Sequence, residues 1–362
     1  MVGFGVIIPV LPFIAINMGA TPFYVGLLIA SYSLMQFIFS PIWGSLSDKY
    51  GRKPILLIGL FGFTVTFILF GLANSFWMLF LARMAGGILS SACLPSAMAY
   101  VADTTSEEER GGGMGLIGAA MGLGLIFGPA LGGLSSIWHV GTPFFVSAGI
   151  AGINFFFTLF FLKESRKRHS ASKIRYNNFG HLLSLRGYMA FIFFLAFLLS
   201  YSISSFEVMF PMFAKQRFNF GSFEVGAAFT LMGIIGVVIQ GLIIGRLIKA
   251  AGEGLVIKIG ILLTALGIGL SVFSFNFISL MFFLGVAVVG QGFMRPSLAS
   301  LISKNTELEE GSTMGLMQSV ESLGRIVGPL AGGYLLQIGL LLPYSSTGAL
   351  NFIFLALSIV FL

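Results

Sequence analysis

Long apolar runs broken by short polar stretches set the pattern of this chain. Runs near the ~20 residues needed to cross a hydrocarbon core fall at 3–17, 24–46, 54–73, 77–100, 113–134 and 142–162. A polar connector follows, and then runs at 187–213, 223–248, 255–274, 277–302, 312–336 and 347–362. This pattern predicts an all-α membrane protein with twelve transmembrane helices: an N-terminal half over 1–162, a basic connector over 163–186 and a C-terminal half over 187–362. Both terminal runs are short. Gly3 to Asn17 would cover roughly 22 Å at about 1.5 Å per residue, against a core of ~30 Å. The last run stops at Leu362 with no polar tail, so a missing start and a missing end are expected.

The two halves repeat one another. Gly124-Leu-Ile-Phe-Gly128-Pro129-Ala-Leu-Gly132-Gly133 returns as Gly324-Arg-Ile-Val-Gly328-Pro329-Leu-Ala-Gly332-Gly333. Pro95-Ser96 matches Pro296-Ser297, and Gly44-x-Leu46-x4-Gly51 matches Gly245-x-Leu247-x4-Gly252, all at offsets of 200 or 201. Glycine and proline cost roughly 1 and 3 kcal/mol inside a soluble helix. In a membrane, small residues let backbones touch, and neighbours re-satisfy the freed polar groups. Two six-helix halves of like topology imply pseudo-symmetry about an axis along the membrane normal, with a binding cavity at the repeat interface.

Composition strengthens the membrane assignment. Apolar residues make up 57% of the 362 and charged residues 9%, where a soluble domain carries about 25% charge. The formal charge of +7 therefore matters for where it sits, and no nucleic-acid partner is expected. Charges cluster in alternate loops: Asp48 to Lys53, Asp103 to Arg110, Lys163 to Arg175, Arg246 to Lys258 and Lys304 to Glu310. The opposite loops hold only Lys215, Arg217 and Glu224. The positive-inside rule places both termini and the connector in the cytoplasm of a cell-membrane protein. Cys93 stands alone, so an internal disulfide is excluded. No P-loop is present, the three histidines have no metal-ligand spacing, and no hydrolase or metalloprotease signature appears. Neither a cofactor, a metal nor an enzyme activity is expected.

Several of these stretches resemble the major facilitator superfamily, and within it the twelve-span drug:proton antiporters similar to tetracycline and multidrug exporters. Gly44-Ser-Leu-Ser-Asp48-Lys-Tyr-Gly51-Arg52-Lys53 resembles the signature loop, and Leu81-Ala-Arg83-Met-Ala-Gly86-Gly87 the fourth-span motif. The stretch holding Gly124, Gly128, Pro129, Gly132 and Gly133 is similar to the fifth-span antiporter motif, and Gly3 to Pro12 to the first-span exporter motif. Asp48 is expected to face the positive N-terminal end of a helix in the other half and Arg52 to reach Asp103; the resemblance implies that the signature loop latches the halves in the outward-open state. Its two glycines would allow a tight turn. The second copy carries Lys249 where the first has Asp48, which predicts an asymmetric gate. By the same resemblance, the fifth-span motif forms a seam with a neighbour in the other half and closes the cavity against leak. Arg83 would tune proton release, and the protein would act as a monomer.

Ionisable groups inside spans are costly and point to function. There are five: Arg83, Glu207, Arg295, Glu321 and Arg325. Glu321 and Arg325 are spaced i, i+4 and can pair. Glu207 has no cation within a turn of its own helix, so burial alone penalises its charge, and it ranks first as the proton carrier. Glu321 ranks second, and an acid upstream of the first-span motif is the third possibility. Structural bonding of Glu207 and a local Glu321–Arg325 pair remain the plain alternatives, as does snorkelling for Arg295. Tyr32, Gln36, Asn154, Phe206, Gln240, Gln291, Gln318 and Asn351 are the expected cavity residues, in an otherwise apolar pocket suited to lipophilic or amphipathic cargo.

The expected function is therefore export of small lipophilic compounds in exchange for protons, by alternating access driven by the proton gradient. A metabolite exporter or proton symporter is the nearest alternative. A non-transporting sensor or scaffold on the same fold is the alternative of another class.

Overall fold

The computed structural model describes residues 2–165, 187–305 and 310–362. These form twelve helices and, among the described residues, no strand. The helices are α1 (Val2–Asn17), α2 (Pro22–Tyr50), α3 (Arg52–Gly71), α4 (Phe76–Thr104), α5 (Glu107–Ser135), α6 (Thr142–Phe161), α7 (Gly187–Phe218), α8 (Ser222–Ala251), α9 (Glu253–Phe273), α10 (Phe277–Asn305), α11 (Glu310–Ile338) and α12 (Leu342–Phe361). The basic run beyond Ser165 and the acids Glu307 and Glu309 lie outside the described residues.

Ten of the twelve are long and apolar enough to cross a membrane. Of the other two, α1 has 16 residues, and α11 carries Gln318, Glu321, Arg325 and Gln337 along its length. Leu116, Trp138, Ile153 and Phe160 are each more than 70% exposed, an exterior that only lipid would cover.

Local sequence explains the breaks. α4 is two pieces, Phe76–Ser90 and Cys93–Thr104. Pro95 lacks an N–H and crowds the carbonyl four residues back, at Ser91, where the helix parts. Ser75 caps the start of α4, accepting from Met78 N. Ser106 caps α5 by accepting from Glu109 N, and its own hydroxyl pairs with the Glu109 carboxylate, a variant of the capping box. In α8 the five residues Ile239–Ile243 form a π turn.

One expectation about the signature stretch is corrected. Gly44 shapes no loop, because it lies inside α2, which runs on to Tyr50. The whole α2–α3 turn is Gly51, at φ +108°, a conformation that glycine alone adopts without strain. Its copy Gly252, at φ +76°, is the whole α8–α9 turn.

The chain forms two compact units. One comprises Met1–Ala20, Ser31–Ile174 and Phe220–Thr230; the other comprises Thr21–Ala30, Arg175–Asn219 and Leu231–Leu362. Two short segments thus change sides relative to the sequence division at 1–162, 163–186 and 187–362, and glycine contacts are the reason. In the first unit, Gly133 lies against Ser222 and Phe223 of α8, and a Cβ on Gly226 would meet the Pro129 carbonyl at 2.6 Å. In the second, Gly333 lies against Pro22 and Phe23 of α2, and Gly26 against the Pro329 carbonyl. Within each unit the plan repeats: α1 packs on α5 and α6 as α7 packs on α11 and α12, and α3 packs on α4 and α6 as α9 packs on α10 and α12.

Candidate functional site

The second unit gathers four ionisable groups from three helices. Arg295 of α10 donates from Nη2 to Glu321 Oε2 of α11 at 3.3 Å, and Arg325 Nη1 approaches the same oxygen at 3.6 Å. Arg325 also donates from Nη2 to Ser322 Oγ at 2.9 Å. Glu321 is 3% exposed, so its carboxylate is buried and held by two guanidinium groups. Burying a charge is tolerable when it is paired in this way. Glu207, half-buried on α7, interacts electrostatically with Arg325. The i, i+4 spacing predicts the Glu321–Arg325 pair; Arg295 is the partner that the sequence did not reveal. Its side chain stays more than half exposed while one guanidinium nitrogen reaches Glu321, a charge-assisted bond to a buried carboxylate.

Among its described residues, the first unit holds one buried cation. Arg83 of α4 is 3% exposed, and its guanidinium carbon lies 4.3 Å over the Tyr32 ring of α2. Tyr32 Oη and Ser90 Oγ share a hydrogen bond of 2.8 Å.

At the α2–α3 turn, Arg52 binds the Asp48 carboxylate and Ser47 Oγ through Nη1, and Asp103 Oδ2 through Nε at 2.8 Å. Two cations at the start of α3 oppose its dipole, and Glu164 offsets them. Its carboxylate accepts from Arg52 N at 2.8 Å and Lys53 N at 3.2 Å, against the bare face of Gly51. Lys53 Nζ donates to the Leu159 carbonyl at the end of α6.

The second copy of this turn is neither lost nor alike. Glu253 stands at the Arg52 position and Lys304 at the Asp103 position, and they pair, with Ser300 Oγ donating to the same Glu253 oxygen at 2.9 Å. The expected asymmetry is therefore a cluster with its signs reversed. The offset of 201 that pairs Asp48 with Lys249 carries that signal for the other two positions as well.

The fifth-span motif is a backbone seam. Gly124, Gly128, Pro129, Gly132 and Gly133 are all buried. A Cβ on Gly128 would meet Gly5 Cα at 2.6 Å, and one on Gly132 the Val6 carbonyl at 2.7 Å. It packs on α1 of its own half, beyond the expected neighbour in the other half, and Pro129 and Gly133 also lie against the first turns of α8.

Three expected cavity residues are buried among helices. Asn351 is fully buried, donating from Nδ2 to Ser202 Oγ at 3.0 Å and to the Thr347 carbonyl at 2.8 Å, so it ties α12 to α7. Phe206 is buried and stacked on Phe210 at 5.2 Å. Tyr32 is buried against α4, where Gly87 admits it. Gln36 and Gln291 are half-buried, and Asn154, Gln240 and Gln318 exposed. Gln240 lies in the α8 π turn, beside Gly292 of α10.

These features define a multi-pass membrane protein built from two copies of one six-helix plan, with its intramembrane charges concentrated in the second. The sequence matches the model of the Major Facilitator Superfamily over residues 1–306 and again over 192–362, and the chain belongs to that superfamily. It is 30% identical over 364 residues to multidrug resistance protein 2 of Bacillus subtilis (strain 168), covering 99% of this chain and 91% of that one. With the quinolone resistance protein NorA of Staphylococcus aureus (strain COL) it shares 27% over 343 residues, 94% of this chain and 88% of that one. Among solved structures, the nucleoside transporter NupG has the same fold, with a TM-score of 0.83 at 15% identity over 99% of this chain and 95% of that one.

Proposed function

We propose that this protein exports small lipophilic or amphipathic compounds across the cell membrane in exchange for protons, by alternating access. The observation that carries the proton assignment is the double pairing of Glu321. A carboxylate held by both Arg295 and Arg325 must break two ion pairs to take a proton. Glu207 is half-buried and coupled to the cluster through Arg325, so a change in its charge is felt by the pairs beside it. Glu207 is therefore the proton carrier. Protonation from outside removes its charge and biases the cavity toward the cytoplasm; cargo arriving there favours release of the proton. The gradient supplies the work, including ~2.3 kcal/mol per charge per 100 mV of potential. The reading draws further support from the resistance proteins that the chain resembles along nearly its whole length.

In this reading the protein works as a monomer in the bilayer with both termini cytoplasmic. It uses no cofactor, metal or nucleic acid, and it is not an enzyme. The test is cargo-driven proton release from inside-out vesicles, screening lipophilic cations and quinolones. Addition of compound collapses an acid-inside gradient in the unsubstituted protein and fails to do so in Glu207→Gln. Equal responses in the two would move the proton to Glu321 or to a first-span acid. No response to any compound would bring the metabolite carrier forward, and ligand binding without flux the sensor.

A further inference from the structure

Arg83, Gly87 and Ser90 lie at i, i+4 and i+7 on α4 and therefore share one face. Tyr32 of α2 meets all three. Its backbone closes on Gly87, where an added Cβ would stand 2.7 Å from the Tyr32 carbonyl oxygen and 3.2 Å from its Cα. Its hydroxyl binds Ser90, and its ring lies under the Arg83 guanidinium at 4.3 Å. Both side chains are buried, Tyr32 at 6% and Arg83 at 3% exposure. Trp43 Nε1, donating to the Ile88 carbonyl at 2.6 Å, fixes α2 to α4 further along the same contact. The side chain that faces the cation is thus oriented by a hydrogen bond at one end and by a glycine-permitted backbone contact at the other.

We infer that Tyr32 is a positioning residue for Arg83, holding the guanidinium by its ring face while the hydroxyl bond to Ser90 holds the ring. A ring face attracts a cation most strongly where water is excluded. Unlike a carboxylate, it does so without neutralising the charge. Arg83 so placed is oriented to act on a proton-carrying carboxylate or on cargo. The inference rests on the proton-exchange reading above, to which it adds a residue. It also explains why the tyrosine expected in the cavity is buried, and why Gly87 stands one turn from Arg83.

The test replaces Tyr32 by phenylalanines bearing zero, one, two or three ring fluorines, which keep the ring's shape while weakening its negative face. It is combined with Tyr32→Leu and Ser90→Ala in purified protein reconstituted in liposomes. Two readouts are taken: the melting temperature, in the Arg83 and Arg83→Gln backgrounds, and the pH profile of compound-driven proton exchange. Melting temperature is expected to fall stepwise with fluorination when Arg83 is present and to stay flat when it is Gln. The midpoint of the pH profile is expected to move in the same order. Tyr32→Leu should lose at least tenfold in exchange, and Tyr32→Phe and Ser90→Ala, which release the ring at its hydroxyl end, should show a smaller loss of about threefold.

A fluorination series flat in both readouts overturns the inference. So does a melting trend that is the same without Arg83, or a folded Tyr32→Leu protein with an unchanged pH profile. If Tyr32→Leu does not fold, the fluorinated series alone decides, since it conserves shape. Absence of exchange in the unsubstituted protein removes the exporter reading, and with it this role for Tyr32; it is told apart by being seen before any substitution is made.

Discussion

In the first unit, the carbonyls of Val2 and Val6 on α1 lie against Gly128 and Gly132 of α5; in the second, those of Tyr201 and Ser205 on α7 lie against Gly328 and Gly332 of α11. These carbonyl contacts keep one register, offset by 199 on α1 and α7, and Pro12 answers to Pro211 in it. The side chains do not match. By that register Ile8 stands where the second unit has Glu207. Met121 and Leu125 stand opposite Glu321 and Arg325, and Leu94 opposite Arg295. Arg83, buried in the first unit, has Leu284 as its counterpart. Duplication has kept the seams, where any Cβ would strike backbone, and has let the chemistry diverge, because a side chain that projects from a seam is not constrained by it. The cytoplasmic turns teach the same lesson: Gly51 and Gly252 keep their positive φ, while Arg52–Asp103 becomes Glu253–Lys304 with signs exchanged.

The sharpest break in this comparison is charge. Glu207→Gln should lower proton-coupled transport at least tenfold, and adding Ile8→Glu should not restore it, because the first unit has Leu125 where the second has Arg325; recovery in liposome assays would sink the division of labour argued above. Next come the seams. Gly128→Ala and Gly328→Ala should each destabilise by about 1–3 kcal/mol through overpacking, read as lower melting temperatures in detergent, and the two losses should be similar if the seams are equivalent.

A smaller effect is expected at the α7–α12 link. Asn351→Ala leaves Ser202 without its amide donor and should cost about 1–2 kcal/mol. At the equivalent position the first unit already has alanine, Ala151, so the reverse change there should bring no matching gain. The least effect is expected at the reversed turn. Lys304 is mostly exposed, so Glu253→Lys alone should cost about 0.2–1 kcal/mol. Adding Lys304→Glu should recover most of it in a double-mutant cycle.

Most of the architecture was legible from apolar run length, since every expected span became a helix whose ends shifted by a few residues. One pair close in sequence was legible too: Glu321 with Arg325 is a helical i, i+4 contact, whereas Arg52 with Asp48, joined across the Gly51 turn, was not expected. Hidden were the contacts between residues far apart, such as Arg295 with Glu321 and Glu164 with the start of α3. No periodicity carries such pairs, because each depends on how two helices rotate about their own axes.

The buried tyrosine and asparagine show the same limit from the other side. Tyr32 and Asn351 read as cavity residues because polarity inside an apolar run has two uses, contact with cargo and bonds between helices, and hydropathy cannot separate them. By itself, then, the sequence determined the number of helices, the repeat, the glycine seams and which side chains carry charge, because these follow from transfer free energy and from the steric needs of single residues. Only the tertiary structure decided which charges meet, which polar groups are closed off, and that Arg83 rests on an aromatic face, because those outcomes depend on the packing angle and register of helices brought together from distant parts of the chain.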